Sequence, residues 1–338
     1  MSGRKISYLE AVREAMVQEM KKDETIIFMG QDLSGGAGRE EEGLTDTWGG
    51  SFGVSRGMST ELGTDRVIDC PLSEAGYMGA AATAATVGLK PIAELMFNDF
   101  IWLAGDQLFN GAAKFRYLSA GRITCNLTVR TVSGGGQNAG MHHSQSLYAL
   151  ALNVPGFKVA VPSTPYAAKG VIAAAVHDDN PVIIFENKSL YGTTGEVPEE
   201  SYECEIGKGE IVREGKDVTV VAISRMRYIA ENAAKKLEEE GISVELIDPI
   251  WLSPLDENLI LESVKKTGHL VVVDEANNRC GVSADLAALV SDKAIDYLDG
   301  PIKSVNGVYA PVPFSPPLEE AYLPNEGKII KAVKEALK

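Results

Sequence analysis

Residues 67–91 read VIDCPLSEAGYMGAAATAATVGLKP. The apolar run VIDC has the character of a buried strand, Pro71 ends it, and Ser73 stands where a helix N-cap belongs. The helix that follows is so rich in Gly, Ala and Thr that it must pack closely against a neighbour. Glu74 is its only acidic or basic side chain before Lys90. A carboxyl group held at a helix start against small residues is partly desolvated, so its protonation can be tuned for proton transfer. The plainer alternative is an acid in a first helical turn, favoured by the positive end of the dipole.

Outward from this stretch, strand-like runs alternate with amphipathic helical patterns over most of the chain. That alternation predicts an α/β fold built on parallel sheets covered on both faces, in two doubly wound domains. The N-terminal half reads as a helix over Tyr8–Lys22, a strand TIIFMG and a Gly-rich acidic loop over 34–53, followed by the strand and helix around Glu74. Then come a strand PIAELMF, a helix IWLAGDQLFNGAAKFRYLS, a strand TCNLTVRTV and a loop SGGGQNAGMHHSQS. A strand KVAVP, a helix over 165–176 and a strand PVIIFEN close this half. Residues 192–214 turn polar and lose periodicity, as a linker does. A second pattern follows: DVTVVAIS, RMRYIAENAAKKLEEEG, SVELID, ENLILESVKKTG, HLVVVDEA and SADLAALVSDKA. The terminal helix KIIKAVKEALK is expected to fold back onto this smaller sheet. The resulting division is 1–190, a linker at 191–213, and 214–338.

Composition narrows the function. With 338 residues and 45% hydrophobic side chains the chain can bury more than one core, and about 150 residues per domain suggests two. Lys plus Arg number 32 against 47 Asp plus Glu, a formal net charge of −15. Such a surface repels phosphate backbones and anionic lipid, so neither nucleic acid nor membrane is an expected partner. The four cysteines, Cys70, Cys125, Cys204 and Cys280, form no CxxC and read as free thiols. The charged, helical N-terminal pattern lacks a secretory core, and the uncharged run over 75–89 is shorter than the ~18 residues of a membrane span. A cytoplasmic location is expected.

Two further stretches carry chemistry. In SGGGQNAGMHHSQ, Gly134, Gly136 and Ala139 match G-x-G-x-x-A after a strand, so a nicotinamide-dependent dehydrogenase must be weighed. The motif runs into two histidines rather than a long helix, and Lys158 occupies the region ~20 residues on where a ribose-binding acid belongs. His142 and His143 instead offer a group that titrates near neutrality, and adjacent side chains point apart, so one of them serves a site at most. In FNDFIW, Phe100 follows a predicted strand end, where ligands gather in open α/β sheets; stacking on a heterocycle and ordinary packing both suit it. No P-loop or HExxH occurs.

The strings DCPLSEAGYMGAA, PIAELMFNDF, DQLFNGAAKFRY, HHSQ, PSTPYAAKG, DDNPVIIFENKSLYG and PLEEAYLP resemble, in order, the β subunit of thiamine diphosphate-dependent 2-oxo acid dehydrogenases. AAKFRY, DTWGG, STPYAAKG and YGTTGEVPEES are most similar to the acetoin dehydrogenase branch, with pyruvate or branched-chain 2-oxo acid dehydrogenase β subunits as the alternative. The resemblance implies a pyrimidine-binding thiamine diphosphate domain followed by a transketolase C-terminal-type domain. It also implies an α subunit, in a complex of two α and two β, that supplies the diphosphate and magnesium site marked by GDG and NN. This chain lacks that signature, and the GDQ at Gly105 lies inside a helical pattern.

By resemblance, Glu74 matches the glutamate that hydrogen-bonds the aminopyrimidine and favours the imino tautomer able to accept the thiazolium proton. Phe100 matches the aromatic stacked on that ring, and His143 the histidine beside substrate and lipoyl group, although His142 departs from the usual preceding residue. Leu127, Ala175, Val176, Asp178 and Asn180 match a potassium site built largely from carbonyl oxygens. The implied reaction is cleavage of acetoin, release of acetaldehyde and acetylation of the lipoyl arm of a dihydrolipoamide acetyltransferase that docks on the C-terminal domain. A non-catalytic scaffold subunit is the remaining reading.

Overall fold

The computed structural model describes residues 4–35, 41, 43 and 46–338. Part of the predicted Gly-rich loop, residues 36–40, 42, 44 and 45, lies outside the described residues, as do residues 1–3. The chain forms two compact units. The first comprises residues 1–132, 150–186 and 190–206; the second comprises 133–149, 187–189 and 207–338.

In the first unit, the strands lie in the order Lys158–Ala160, Val182–Asn187, Thr128–Ser133, Lys90–Leu95, Ile26–Gly30, Val67–Asp69. The pairings are parallel, with Phe28 opposite Val67 and Ile92 opposite Thr128. A parallel sheet needs helices on its faces, and the strands Ile26–Gly30, Thr128–Ser133 and Val182–Asn187 are accordingly buried along their whole length. The Tyr8–Lys22 helix shows how local sequence sets an element. Ser7 and Glu10 close a capping box, and Tyr8, Ala11, Val12, Ala15, Met16 and Met20 form the buried stripe.

In the second unit, five strands run in the order Lys303–Gly307, Leu270–Asn277, Val218–Ala222, Val244–Asp248, Glu210–Arg213, with only the last antiparallel. The terminal helix Glu326–Ala336 packs Ile329, Val333 and Ala336 onto Val271, Val273 and Val305, as its pattern predicts.

The structure corrects the element reading in three places. The stretch read as a structureless linker contains the strands Thr194–Glu196 and Glu210–Arg213, the first paired with Lys5–Ser7. These strands are short and sit at sheet edges, where a half-exposed run leaves little periodicity. The strand Lys303–Gly307 had no prediction, because KSVNG carries one apolar side chain. The long helix read after Phe100 is three pieces: Ile101–Gly105, a π-helical segment Asp106–Ala112, and Phe115–Leu118. Apolar periodicity does not report π windings, which cluster at functional positions.

Candidate functional site

Glu74 is the first residue of the helix Glu74–Ala85. Ser73 occupies the N-cap position, yet its hydroxyl makes no capping bond, so the expected cap is absent. The Glu74 side chain is half-buried, and among the described residues no hydrogen bond or ion pair holds its carboxylate. A half-buried acid without a partner beside small, exposed Ala75 and Gly76 is an arrangement a bound polar ring can complete. One turn on, Tyr77 is buried and donates to Glu94 O at 3.2 Å. Burial raises its phenol, and the charges of Glu74 and Glu94 raise it further, so Tyr77 is a fixed neutral donor.

Phe100 ends a short 3-10 turn after the Lys90–Leu95 strand. Its ring meets Phe97 edge-on, with centroids 5.9 Å apart and planes at 79°. Phe97 touches Phe52 at 5.9 Å, Phe52 touches Tyr191 at 5.3 Å, and Tyr191 touches Tyr8 at 5.9 Å. Phe100 is therefore the outer, half-buried member of a chain of rings anchored in the core.

Beneath this chain lies an ionic cluster that the sequence reading missed. Arg130 Nη1 donates to Glu94 Oε2 at 2.8 Å, and its Nε and Nη2 donate to the two Glu186 oxygens at 2.7 and 2.8 Å. Tyr191 donates to Glu186 Oε2 at 2.8 Å. Glu94, Arg130 and Glu186 come from three adjacent strands and are 6%, 1% and 1% exposed, so the charges are removed from water. Burial pushes the Glu94 carboxyl up, opposed by Arg130. Glu94 also fills the space where a side chain on Gly50 would sit: a Cβ there would lie 2.4 Å from Oε1. With φ at +76°, Gly50 is the one residue type that lets the DTWGG segment cross the carboxylate.

His142 and His143 lie in the second unit, on a loop pinned from beneath. His142 is exposed and His143 half-buried, and the His143 N–H donates to Gly140 O at 3.3 Å. The loop that begins with the G-x-G-x-x-A match runs to the five-residue helix Tyr148–Leu152 and not to the long helix of a dinucleotide site. Tyr148 donates to Asp274, and Ser146 donates to Glu275 at 3.2 Å. Both acids are buried at the C-terminal part of the Leu270–Asn277 strand.

Burial pushes the Asp274 carboxyl up to about 7, against hydrogen bonds from Tyr148 and the Ala276 N–H. A carboxyl whose folded value lies above its unfolded value, near 4, holds a proton in the folded state that the unfolded chain has lost. Stability then falls by on the order of 4 kcal/mol as pH rises from about 4 to about 7. Asp274→Asn keeps an acceptor for Tyr148 and removes the charge. Its melting temperature is expected to exceed that of the unsubstituted chain at pH 8, with the gain vanishing near pH 4; calorimetry that finds the same difference at both pH values contradicts this.

The residues matched to a potassium site lie in the first unit. Asp178 is ion-paired with Lys158, and Asn180 Oδ1 accepts from Arg116 Nη1 at 2.9 Å. The carbonyls of Leu127, Ala175 and Val176 accept from Val182 N, Asp178 N and Asn126 Nδ2 at 2.9, 3.2 and 3.1 Å. Those side chains are committed within the chain, whereas each carbonyl keeps a second lone pair. Main-chain oxygens at the C-terminal, negative end of the Pro165–His177 helix suit a monovalent cation. Among the described residues no group of three His, Cys, Asp or Glu side chains is arranged to hold a metal, and no helix is long and apolar enough to cross a membrane.

Two family profiles match this chain. The family profile described as "Transketolase, pyrimidine binding domain" matches residues 4–194, and that described as "Transketolase, C-terminal domain" matches residues 207–329. The chain is 50% identical to the acetoin:2,6-dichlorophenolindophenol oxidoreductase subunit beta of Bacillus subtilis, over 99% of this chain and 98% of that one. The corresponding protein of Cupriavidus necator is 46% identical, over 99% and 98%. The 2-oxoisovalerate dehydrogenase subunit beta of Bacillus subtilis is 38% identical, over 98% of each chain. Among solved structures, a split gene transketolase described as an inactive beta4 tetramer aligns with a TM-score of 0.77 and 28% identity, over 98% of each chain.

Proposed function

Since this chain belongs to the transketolase-type, thiamine diphosphate-dependent family of acetoin and 2-oxo acid dehydrogenase β subunits, we propose that it is the β subunit of an enzyme that cleaves acetoin and transfers the acetyl unit to a lipoyl group. The observation that carries the choice of substrate is the grading of identity: 50% and 46% with the acetoin oxidoreductase subunits, against 38% and 39% with the 2-oxoisovalerate and pyruvate dehydrogenase subunits. The reaction breaks the bond between the carbonyl and carbinol carbons of acetoin and releases acetaldehyde. The lipoyl disulfide takes the two electrons that raise the remaining fragment to an acetyl thioester.

Thiamine diphosphate, when bound, supplies the nucleophilic carbon this cleavage needs. Glu74 holds a proton at its carboxyl oxygen against a ring nitrogen of the aminopyrimidine, and the absence of a competing partner within the described chain supports that role. Phe100 offers its ring face to the pyrimidine, braced by Phe97. His143 is the group assigned to substrate and lipoyl arm, and His142, exposed, is not. An α subunit, two per two β, holds the diphosphate and magnesium, for which this sequence has no GDG and NN pair. A lipoyl-bearing dihydrolipoamide acetyltransferase is the acceptor and the cytoplasm the location. Leu127, Ala175, Val176, Asp178 and Asn180 would hold potassium, largely through carbonyl oxygens, and the boundary between the two family domains falls within 191–213.

The test is the chain reconstituted with its α subunit and assayed by dye reduction. Acetoin is expected to exceed pyruvate and 2-oxoisovalerate in kcat/KM by about tenfold or more. Preference for either 2-oxo acid would reverse the substrate assignment, and saturable NAD binding by the isolated chain would favour the nicotinamide reading.

A further inference from the structure

A lysine with no role in the chemistry above holds the loop that carries His143. Lys188 is 1% exposed. Its ammonium donates to Gly134 O at the start of the loop, to His143 O at 2.8 Å and to Ser144 Oγ at 3.4 Å. Its chain neighbours reach the same loop: Asn187 Nδ2 donates to the Glu275 oxygen shared with Ser146, and Ser189 Oγ donates to Gly135 O at 2.9 Å. Gln137 Nε2 returns a bond to Lys188 O at 3.0 Å. All these residues belong to the second unit.

Burying an ammonium is unfavourable until its acceptors compensate for the lost hydration. Methionine, unbranched and adaptable, would fill the same space without that cost. Packing alone therefore does not account for a lysine at this position. A cation adds convergence, drawing three oxygens from the two ends of the loop toward one point, and one of those oxygens belongs to His143 itself.

We propose that Lys188 is a positioning residue that fixes the main chain at His143 and thereby aims its imidazole at the reacting substrate. The inference rests on the assignment of His143 given above. Lys188 acts through His143 and touches neither substrate nor cofactor.

The test uses the reconstituted α and β enzyme with Lys188→Met, His143→Ala and the double variant. Misplacing a reacting group by about 1 Å costs up to about 100-fold, so Lys188→Met is expected to lower kcat by about 10- to 100-fold. Thiamine diphosphate affinity is expected to stay within about twofold, and adding Lys188→Met to His143→Ala is expected to change kcat no further. Equal factors of loss in both backgrounds overturn the proposal, because a general structural role would be additive, and so does unchanged kcat in Lys188→Met. If Lys188→Met fails to assemble, Lys188→Gln goes through the same cycle under the same criteria. A fully active His143→Ala enzyme overturns the assignment of His143, and this proposal with it, before any Lys188 variant is measured.

Discussion

Replacing Arg130 with leucine is expected to destabilise the first unit by about 3–5 kcal/mol, more than any other single substitution considered. The guanidinium makes three hydrogen bonds to Glu94 and Glu186, and all three side chains are shut off from water. Leucine leaves two buried carboxylates facing each other with no cation, and Tyr191 bonded to one of them. The loss should appear as a fall in melting temperature on the order of 10 °C. Replacing Glu94, Arg130 and Glu186 together with apolar residues of similar volume should recover most of it, because the cost lies in the uncompensated charge. A melting temperature within about 2 °C of the unsubstituted protein for Arg130→Leu would show that water reaches the cluster.

Glu74→Gln is expected to lower kcat by about 10²–10⁴ while the melting temperature and the assembly with the α subunit are unchanged. Glutamine keeps the size of the side chain and its hydrogen-bonding capacity but cannot exchange a proton at the ring nitrogen. No described residue hydrogen-bonds or ion-pairs with the Glu74 carboxylate, so neutralising it costs the fold no more than its small interaction with the helix dipole. Activity within about twofold of the unsubstituted enzyme would remove the proton-holding role.

The sequence shows most clearly the elements whose patterns are local. Ser7, Glu10 and the apolar stripe of Tyr8–Lys22 announce a helix in both caps and periodicity, and the observed bounds agree. The site is visible in part. Glu74 stands out as a lone acid among small residues, whereas the brace behind Phe100 depends on Phe52 and Tyr191, far away in sequence.

The buried ionic groups were hidden for a physical reason. Lys and Glu are usually read as solvent-facing, yet in strands covered on both faces any charge must be buried. Glu94 in KPIAEL, Arg130 in TVRTVS and Glu186 in VIIFEN each interrupt such a run, and the interruption is the signal that could have found them. Lys188, directly after VIIFEN, belongs with them. Nothing comparable marks the π-helical segment Asp106–Ala112 or the edge strands at 194–196 and 210–213, which depend on tertiary pairing.

The most direct measurement is a crystal structure of the chain assembled with its α subunit and thiamine diphosphate. A Glu74 carboxyl oxygen within hydrogen-bonding distance of an aminopyrimidine ring nitrogen, with Phe100 against the ring face, is the predicted result. A carboxylate left in solvent, with the ring bound elsewhere, would contradict the account.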